Sequence, residues 1–220
     1  GDCPDAPNSR QQDVTSDALP GGVAAIVPTG IDGKTTIALP QGDYRVTVSR
    51  GMEWSIWPAD AHRSGGEPLS LTNGEVTAID AEIAHVVDSE GILSGDFHIH
   101  SLTSTDSAVS LQNRVLDYLS EGVDVMVSTD HDYISDYRPA IEALGAGHLI
   151  TSLIGSEITT SDTGHINAFP LQQDLSHPRG GALDWGNGPA DSLLPSEIFD
   201  WVNGFPGEQV IQINHPDGTG

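Results

Sequence analysis

Gly91-Ile92-Leu93-Ser94-Gly95-Asp96-Phe97-His98-Ile99-His100-Ser101 is the stretch at which the grammar of the chain changes. Upstream of it, short runs alternate apolar and polar residues. Downstream, apolar runs alternate with helical stripes. Residues 92–99 are apolar and extended, and His98 and His100 stand two apart at the end of that run. On a strand this spacing points both imidazoles to one face while Phe97 and Ile99 point to the other. Two imidazoles on one face suit a divalent ion at about 2.0–2.2 Å, although a strand-end histidine often does no more than satisfy a hydrogen bond.

Working toward the C-terminus, Leu111, Val115 and Leu119 form a helical stripe over residues 108–121, with Ser107 as N-cap and Gly122 as the stop. Residues 123–127, 149–154, 166–169 and 209–213 are short apolar strands. Pro139 opens a helix over 139–144, and residues 196–202 form another that Asn203-Gly204 ends. Strands alternating with helices at roughly 30-residue spacing predict βαβ units and a parallel sheet or barrel.

Toward the N-terminus the period is two. Thr35, Ile37 and Leu39 alternate, Pro40-Gln41-Gly42-Asp43 turns the chain, and Tyr44, Val46 and Val48 alternate again before Arg50-Gly51. A further run, 75–83, follows Asn73-Gly74. This predicts a small β-sandwich over residues 21–91. Residues 1–20, with Pro4, Pro7 and Pro20, read as an extended arm, leaving 92–220 as the α/β part.

The 220 residues suffice for one large domain or two small ones, and 37% are hydrophobic, enough for a packed core. Asp and Glu number 32 against 8 Lys and Arg, a formal charge of −24, and Lys34 is the single lysine. No basic footprint exists for stable nucleic-acid binding, and an anionic membrane surface is disfavoured for the same reason. No apolar run approaches the roughly 20 residues of a membrane span. The acidic, lysine-poor composition favours an extracytoplasmic location. Cys3 is either an incidental thiol or the remnant of a partner or lipid anchor.

His131 lies in Thr129-Asp130-His131-Asp132, Glu157 in Gly155-Ser156-Glu157, His165 in Gly164-His165-Ile166-Asn167 and His215 in Asn214-His215-Pro216. With His98 and His100, these fall at strand ends, where parallel α/β barrels build active sites. Neutral imidazoles with carboxylates suit Zn²⁺, Mn²⁺ or Fe rather than Ca²⁺. Asp130 is either an acceptor that orients an imidazole or a turn residue, and Asp132 caps the following turn. His62, His85, His148 and His177 read as surface or hydrogen-bonded histidines. Tyr133 and Tyr137 line a pocket or pack in the core. Residues 172–192 form a long loop suited to covering a site, from which Arg179 could reach a phosphate.

Asp96-Phe97-His98-Ile99-His100-Ser101, Thr129-Asp130-His131-Asp132, Gly155-Ser156-Glu157, Gly164-His165 and Asn214-His215-Pro216 together resemble the motif series of the PHP (polymerase and histidinol phosphatase) family, and within it the CehA/McbA-type metallohydrolases. The resemblance covers residues 92–220, and the β region before them is similar to a sandwich-like domain that precedes some such catalytic domains. It implies a distorted (β/α)7 barrel holding two or three divalent metal ions. His98 and His100 would bind the first ion, Glu157 would bridge it to a second completed by His165 and His215, and Asp106 with His131 would bind a third. Glu157 and Asp130 are the residues expected to act in catalysis. The family's closing Asp-x-His pair is not found after His215, and a (β/α)8 barrel takes about 250 residues, so a further C-terminal segment is expected to complete the barrel.

The function implied is a metal-dependent hydrolase acting through metal-bound hydroxide, with a small-molecule phosphate ester as substrate. Bound cations would make the pocket locally positive within an acidic protein. The alternatives are a carbamate or carboxyl-ester hydrolase on the same cluster, and a catalytically silent binding protein.

Overall fold

A computed structural model describes residues 22–160, 164–185 and 193–216. The expected arm at 1–20 lies outside them. The described residues up to Ser94, with Leu116–Val123, make one compact unit; Gly95–Val115 and the residues from Asp124 onward make a second.

In the first unit, β1 (Gly42–Val46) and β2 (Glu67–Leu71) form a two-stranded antiparallel sheet, with Gly42 opposite Leu71 and Val46 opposite Glu67. Between them α1 (Ala61–Ser64) is a single turn, and isolated bridges join Val48 to Trp57 and Trp54 to His85. The expected β-sandwich is therefore corrected: among the described residues, neither 35–39 nor 75–83 joins a sheet. Ile37, Val76 and Ile79 are exposed, so those alternations have no apolar layer to face. β2 escaped notice because Pro68 lies inside it, which argues against a strand except at an edge.

The second unit begins as expected. β3 (Gly95–Ile99), β4 (Val125–Ser128) and β5 (Thr151–Leu153) form a parallel sheet in the order β3-β4-β5. α2 (Leu111–Ser120) and α3 (Arg138–Ala143) are the two crossovers. Ser110, not Ser107, caps α2: its Oγ accepts the Asn113 N–H at 3.2 Å. Gly122 stops the helix at φ 71°, a left-handed conformation that glycine adopts without penalty.

After β5 the parallel pattern ends. β6 (Ser156–Thr160), β7 (Gly164–Phe169) and β8 (Val210–Ile213) form a separate antiparallel sheet in the order β6-β7-β8, with α4 (Pro195–Asn203) between the last two. The fold is mixed α/β, and the described strands of this second unit form two three-stranded sheets rather than one continuous parallel one. Connection length explains the switch. Two residues separate β5 from β6 and three separate β6 from β7, whereas a parallel neighbour needs a crossover of roughly a dozen or more. Gly155 sits at the junction, where an added Cβ would lie 2.7 Å from both Ala168 O and Ser128 O, so no larger residue fits.

Period-two alternation gives this second sheet two unlike faces. Ile158 lies opposite Ile166, and Ala168 opposite Ile211. These side chains pack with Ile198 and Val202 of α4 in one core cluster. Each fully buried isoleucine contributes about 1.5–3 kcal/mol. Glu157, Asn167 and Gln212 are aligned across the three strands, and Thr159 lies opposite His165; all point to the other face. α4 is fixed at its start by Pro195 and by the Leu194 N–H, which donates to Glu197 Oε2 at 2.8 Å. No described helix is long and apolar enough to cross a membrane.

Candidate metal centre

Glu157 is held from both sides. β7 pairs with it on one edge, and on the other the segment after β4 makes a parallel bridge between His131 and Glu157. There the Asp132 N–H donates to Glu157 O at 2.8 Å and the Glu157 N–H donates to Asp130 O at 3.1 Å. Its carboxylate is fully buried, and histidines surround it. Oε2 lies 2.9 Å from His100 Nε2, 3.1 Å from His131 Nδ1 and 3.2 Å from His98 Nε2. Oε1 lies 2.9 Å from Asn214 Nδ2, 3.2 Å from His165 Nδ1 and 3.6 Å from His215 Nε2. Asp106 flanks the cluster, with Oδ2 at 2.8 Å from His100 Nδ1 and 3.5 Å from His131 Nε2.

Neighbouring groups hold the segments that carry His98, His100 and His131. The β3–β4 register slips between Asp96 and Ile99, an irregularity that re-aims a strand end, and the His98 N–H donates to Asp96 Oδ1 at 2.9 Å. Arg114 Nε donates to His100 O at 2.8 Å. The His131 N–H donates to Ser104 Oγ at 3.1 Å, Ser104 Oγ donates to Asp106 Oδ1 at 2.6 Å, and Thr159 Oγ1 lies 2.5 Å from His131 Nδ1. Asn214 Nδ2 also donates to Asn167 Oδ1 at 2.7 Å, and Asn167 Nδ2 donates to Phe97 O at 2.9 Å, tying the polar face to β3.

The electrostatics follow from this crowding. Burial pushes the Glu157 carboxyl up, but hydrogen bonds from His100, His98 and Asn214 outweigh it and hold the group well below the usual carboxylate range. Burial alone would lower His100; the Glu157 and Asp106 carboxylates reverse that and raise it above the ordinary imidazole value. His165 is lowered, first by burial and then by the nearby His131 and His215, despite Glu157. Asp106 is lowered: burial opposes the shift, and hydrogen bonds from Ser104 and His100 produce it.

A carboxylate offers about four lone-pair sites. Here five imidazoles and one amide crowd two oxygens, and His98 Nε2 also lies 3.1 Å from His100 Nε2. Protons alone cannot satisfy so many ring nitrogens converging on one anion. Shared cations can, because each neutral ring nitrogen then turns its lone pair to a positive centre. Tetrahedral ligands at about 2.0–2.2 Å from an ion stand roughly 3.3–3.6 Å apart, and the spacings from 2.9 to 3.6 Å need only small adjustment. Three groupings have ligand atoms within 4.8 Å of one another: His98, Glu157 and His215; His100, Asp106 and His131; His131, Glu157 and His165. The residues present fit divalent metal.

Of the residues expected from the sequence, His98, His100, Asp106, His131, Glu157, His165 and His215 are brought together. The expected first pair stays together, with His98 Nε2 3.1 Å from His100 Nε2 and both within 3.2 Å of Glu157 Oε2; His98 also groups with Glu157 and His215, and His100 with Asp106 and His131. Glu157 and His165 sit within antiparallel strands rather than at the ends of parallel ones. Asp130 is corrected. Buried, it accepts hydrogen bonds from the Ser101 N–H at 2.5 Å, from Ser101 Oγ at 2.9 Å and from the Thr103 and Ser135 hydroxyls. Its lone pairs are spent on fastening loops, not on an imidazole. Asp132 accepts the Thr159 N–H at 3.0 Å. His85 pairs with Glu53, His177 with Asp174 and Arg179 with Asp184, while Tyr137 is buried core. Residues 186–192 of the expected covering loop lie outside the described residues. Asn167, Asn214 and Thr159 were not foreseen as parts of the site. Their signal was the alternation itself, since each stands two residues from a polar neighbour on the same strand face.

No protein-family model matches the chain, and no curated protein matches it. Among solved structures it is similar to a two-domain protein from Bacteroides vulgatus containing a predicted PHP-like metal-dependent phosphoesterase. Identity is 35% over 36% of this chain and 26% of that one, with a TM-score of 0.29. The match thus spans about a quarter of the neighbour's length, and it does not extend to the CehA/McbA-type subdivision. A likeness this local sets neither the fold nor the reaction.

Proposed function

We propose that the cluster around Glu157 is the centre of a metal-dependent hydrolase, in which Glu157 bridges two divalent cations and the substrate is a small phosphate ester. The observation that carries this reading is the convergence of five imidazoles on one fully buried carboxylate. With Glu157, His98 and His215 would hold one cation and His131 and His165 another, and Asp106 with His100 and His131 would offer a third position. Divalent ions bound there would supply Lewis acidity toward a phosphoryl oxygen and lower the pKa of water toward neutrality.

The chain's own residues do the rest. Glu157, kept ionised, supplies negative charge between the cations. Burial and the nearby imidazoles favour the neutral form of His165, the form able to ligate. Asn214, braced by Asn167, fixes the Glu157 carboxylate plane. A centre with several cations and few carboxylates favours an anionic substrate within a protein of charge −24, and this places phosphate esters before neutral ones.

The test is metal analysis of protein purified without chelator, followed by turnover of p-nitrophenyl phosphate and of a p-nitrophenyl carboxyl ester. Two or more equivalents of divalent metal, with phosphate-ester turnover that chelation removes and metal restores, are expected. Protein that retains no divalent metal would overturn the centre; turnover of the carboxyl ester alone would overturn the substrate class.

A further inference from the structure

Trp185 stands outside the metal groupings, yet its indole is tied to them. Its ring packs against the core cluster of Ile134, Ile158 and Ile198, and its Nε1–H donates to Asp132 Oδ1 at 2.6 Å. A half-buried indole N–H favours an acceptor, but any backbone carbonyl would serve. The acceptor used is the residue immediately after His131.

Asp132 occupies an unusual place. Its φ is 50°, a left-handed conformation that aspartate tolerates only when its surroundings hold it. The same Oδ1 accepts the Thr159 N–H at 3.0 Å, and the Asp132 N–H donates to Glu157 O at 2.8 Å. Thr159 Oγ1 in turn lies 2.5 Å from His131 Nδ1. Asp132 is therefore the clasp that sets His131 against Glu157 and Thr159, and Trp185 closes it from outside. The segment carrying Trp185 is itself seated on the turn beyond Asp132. The Ile134 N–H donates to Arg179 O at 3.0 Å, and Gln173 Nε2 donates to Ile134 O at 2.7 Å.

We propose that Trp185 is a positioning residue for the His131 imidazole, acting through Asp132. The proposal rests on the reading of His131 as a metal ligand. Removing the indole N–H frees Asp132 to leave its left-handed conformation and lets the His131 ring drift from the geometry it shares with Asp106, Glu157 and His165. Partners of ligating histidines typically alter metal affinity by about 10–100-fold.

The experiment uses Trp185→Phe, which keeps an aromatic ring in the core and deletes the donor. In metal-free protein, histidine ring ¹⁵N–¹H spectra should show the His131 signals displaced while those of His85 and His177 hold. Zinc titration should then show affinity reduced roughly tenfold, with a thermal midpoint near that of the parent. Asp132→Asn keeps an acceptor oxygen and should behave like the parent. Asp132→Ala should displace His131 by itself, and Trp185→Phe added to it should do nothing more. Should Trp185→Phe fail to fold, Asp132→Ala against Asp132→Asn carries the same comparison. His131 signals unmoved in Trp185→Phe, or moved equally in the Asp132→Ala background, would overturn the proposal. A parent protein that binds no zinc would defeat the metal reading, while the metal-free spectra would still decide the link from Trp185 to His131.

Discussion

The two faces of the β6-β7-β8 sheet use the same strands and opposite chemistry. One carries Ile158, Ile166, Ala168 and Ile211 against α4; the other carries Glu157, Thr159, His165, Asn167 and Asn214. Adjacent residues thus serve different ends, Ile158 burying apolar area and Glu157 burying a charge. Burying a charge costs several kcal/mol unless it is paired, so the apolar face must hold the sheet together while the polar face concentrates groups that do not favour folding by themselves. The register that serves the core is the register that builds the site. A slip of one residue would put the isoleucines among the imidazoles.

The comparison breaks most severely at Glu157. Glu157→Gln should leave a folded protein that has lost its metal, with turnover of p-nitrophenyl phosphate reduced by on the order of a thousandfold or more. Unchanged metal stoichiometry in that variant would remove Glu157 from the bridging role. The next largest effect belongs to the other face. Ile166→Ala should cost about 2–5 kcal/mol of stability by urea unfolding, yet keep the parent's metal stoichiometry where it is folded. Loss of metal without loss of stability would show that the faces are not separable.

Legible from spacing alone were the β3-β4-β5 sheet, its crossover helices, and six of the residues that gather at the site; Asp106 came only from the family resemblance. Strong periodicity and short connections mark parallel βαβ units, and His98-Ile99-His100 declares its face by parity. What spacing could not show was the second sheet. Residues 149–154 read as one strand running into Gly155-Ser156-Glu157, because nothing in an apolar run reveals that the chain passes through Gly155 into another sheet. The approach of His215 to His98 was equally hidden, since it depends on the antiparallel return of β8. Asp130 was misjudged because a carboxylate beside a histidine looks like its partner, whereas hydroxyls from Ser101, Thr103 and Ser135 reach it first. In the first unit, alternation without a packing layer imitated strands.

Smaller effects sharpen the same contrast. Asn214→Ala removes the 2.9 Å donor to Glu157 and should weaken zinc binding by roughly tenfold, measured by competition with a chromogenic chelator. An affinity equal to the parent's would show that the Glu157 carboxylate needs no bracing. Metal affinity should also fall as pH drops, because protons compete for the ring nitrogens. His100, raised by Glu157 and Asp106, takes up its proton at higher pH than His165, which burial and the neighbouring imidazoles hold low. Calorimetric zinc titrations between pH 8 and pH 5 should show that decline with protons released on binding; affinity independent of pH would contradict imidazole ligation. Smallest of all, His177→Ala, which loses surface contacts with Asp174 and Ser176, should leave both metal content and turnover unchanged.

The most direct measurement is an anomalous-difference map from crystals of protein grown with Mn²⁺. Peaks on either side of the Glu157 carboxylate, one within ligand distance of His98 and His215 and another of His131 and His165, are the result the account predicts. A map with no peak in contact with Glu157, or with manganese bound only by surface carboxylates away from the imidazoles, would contradict it.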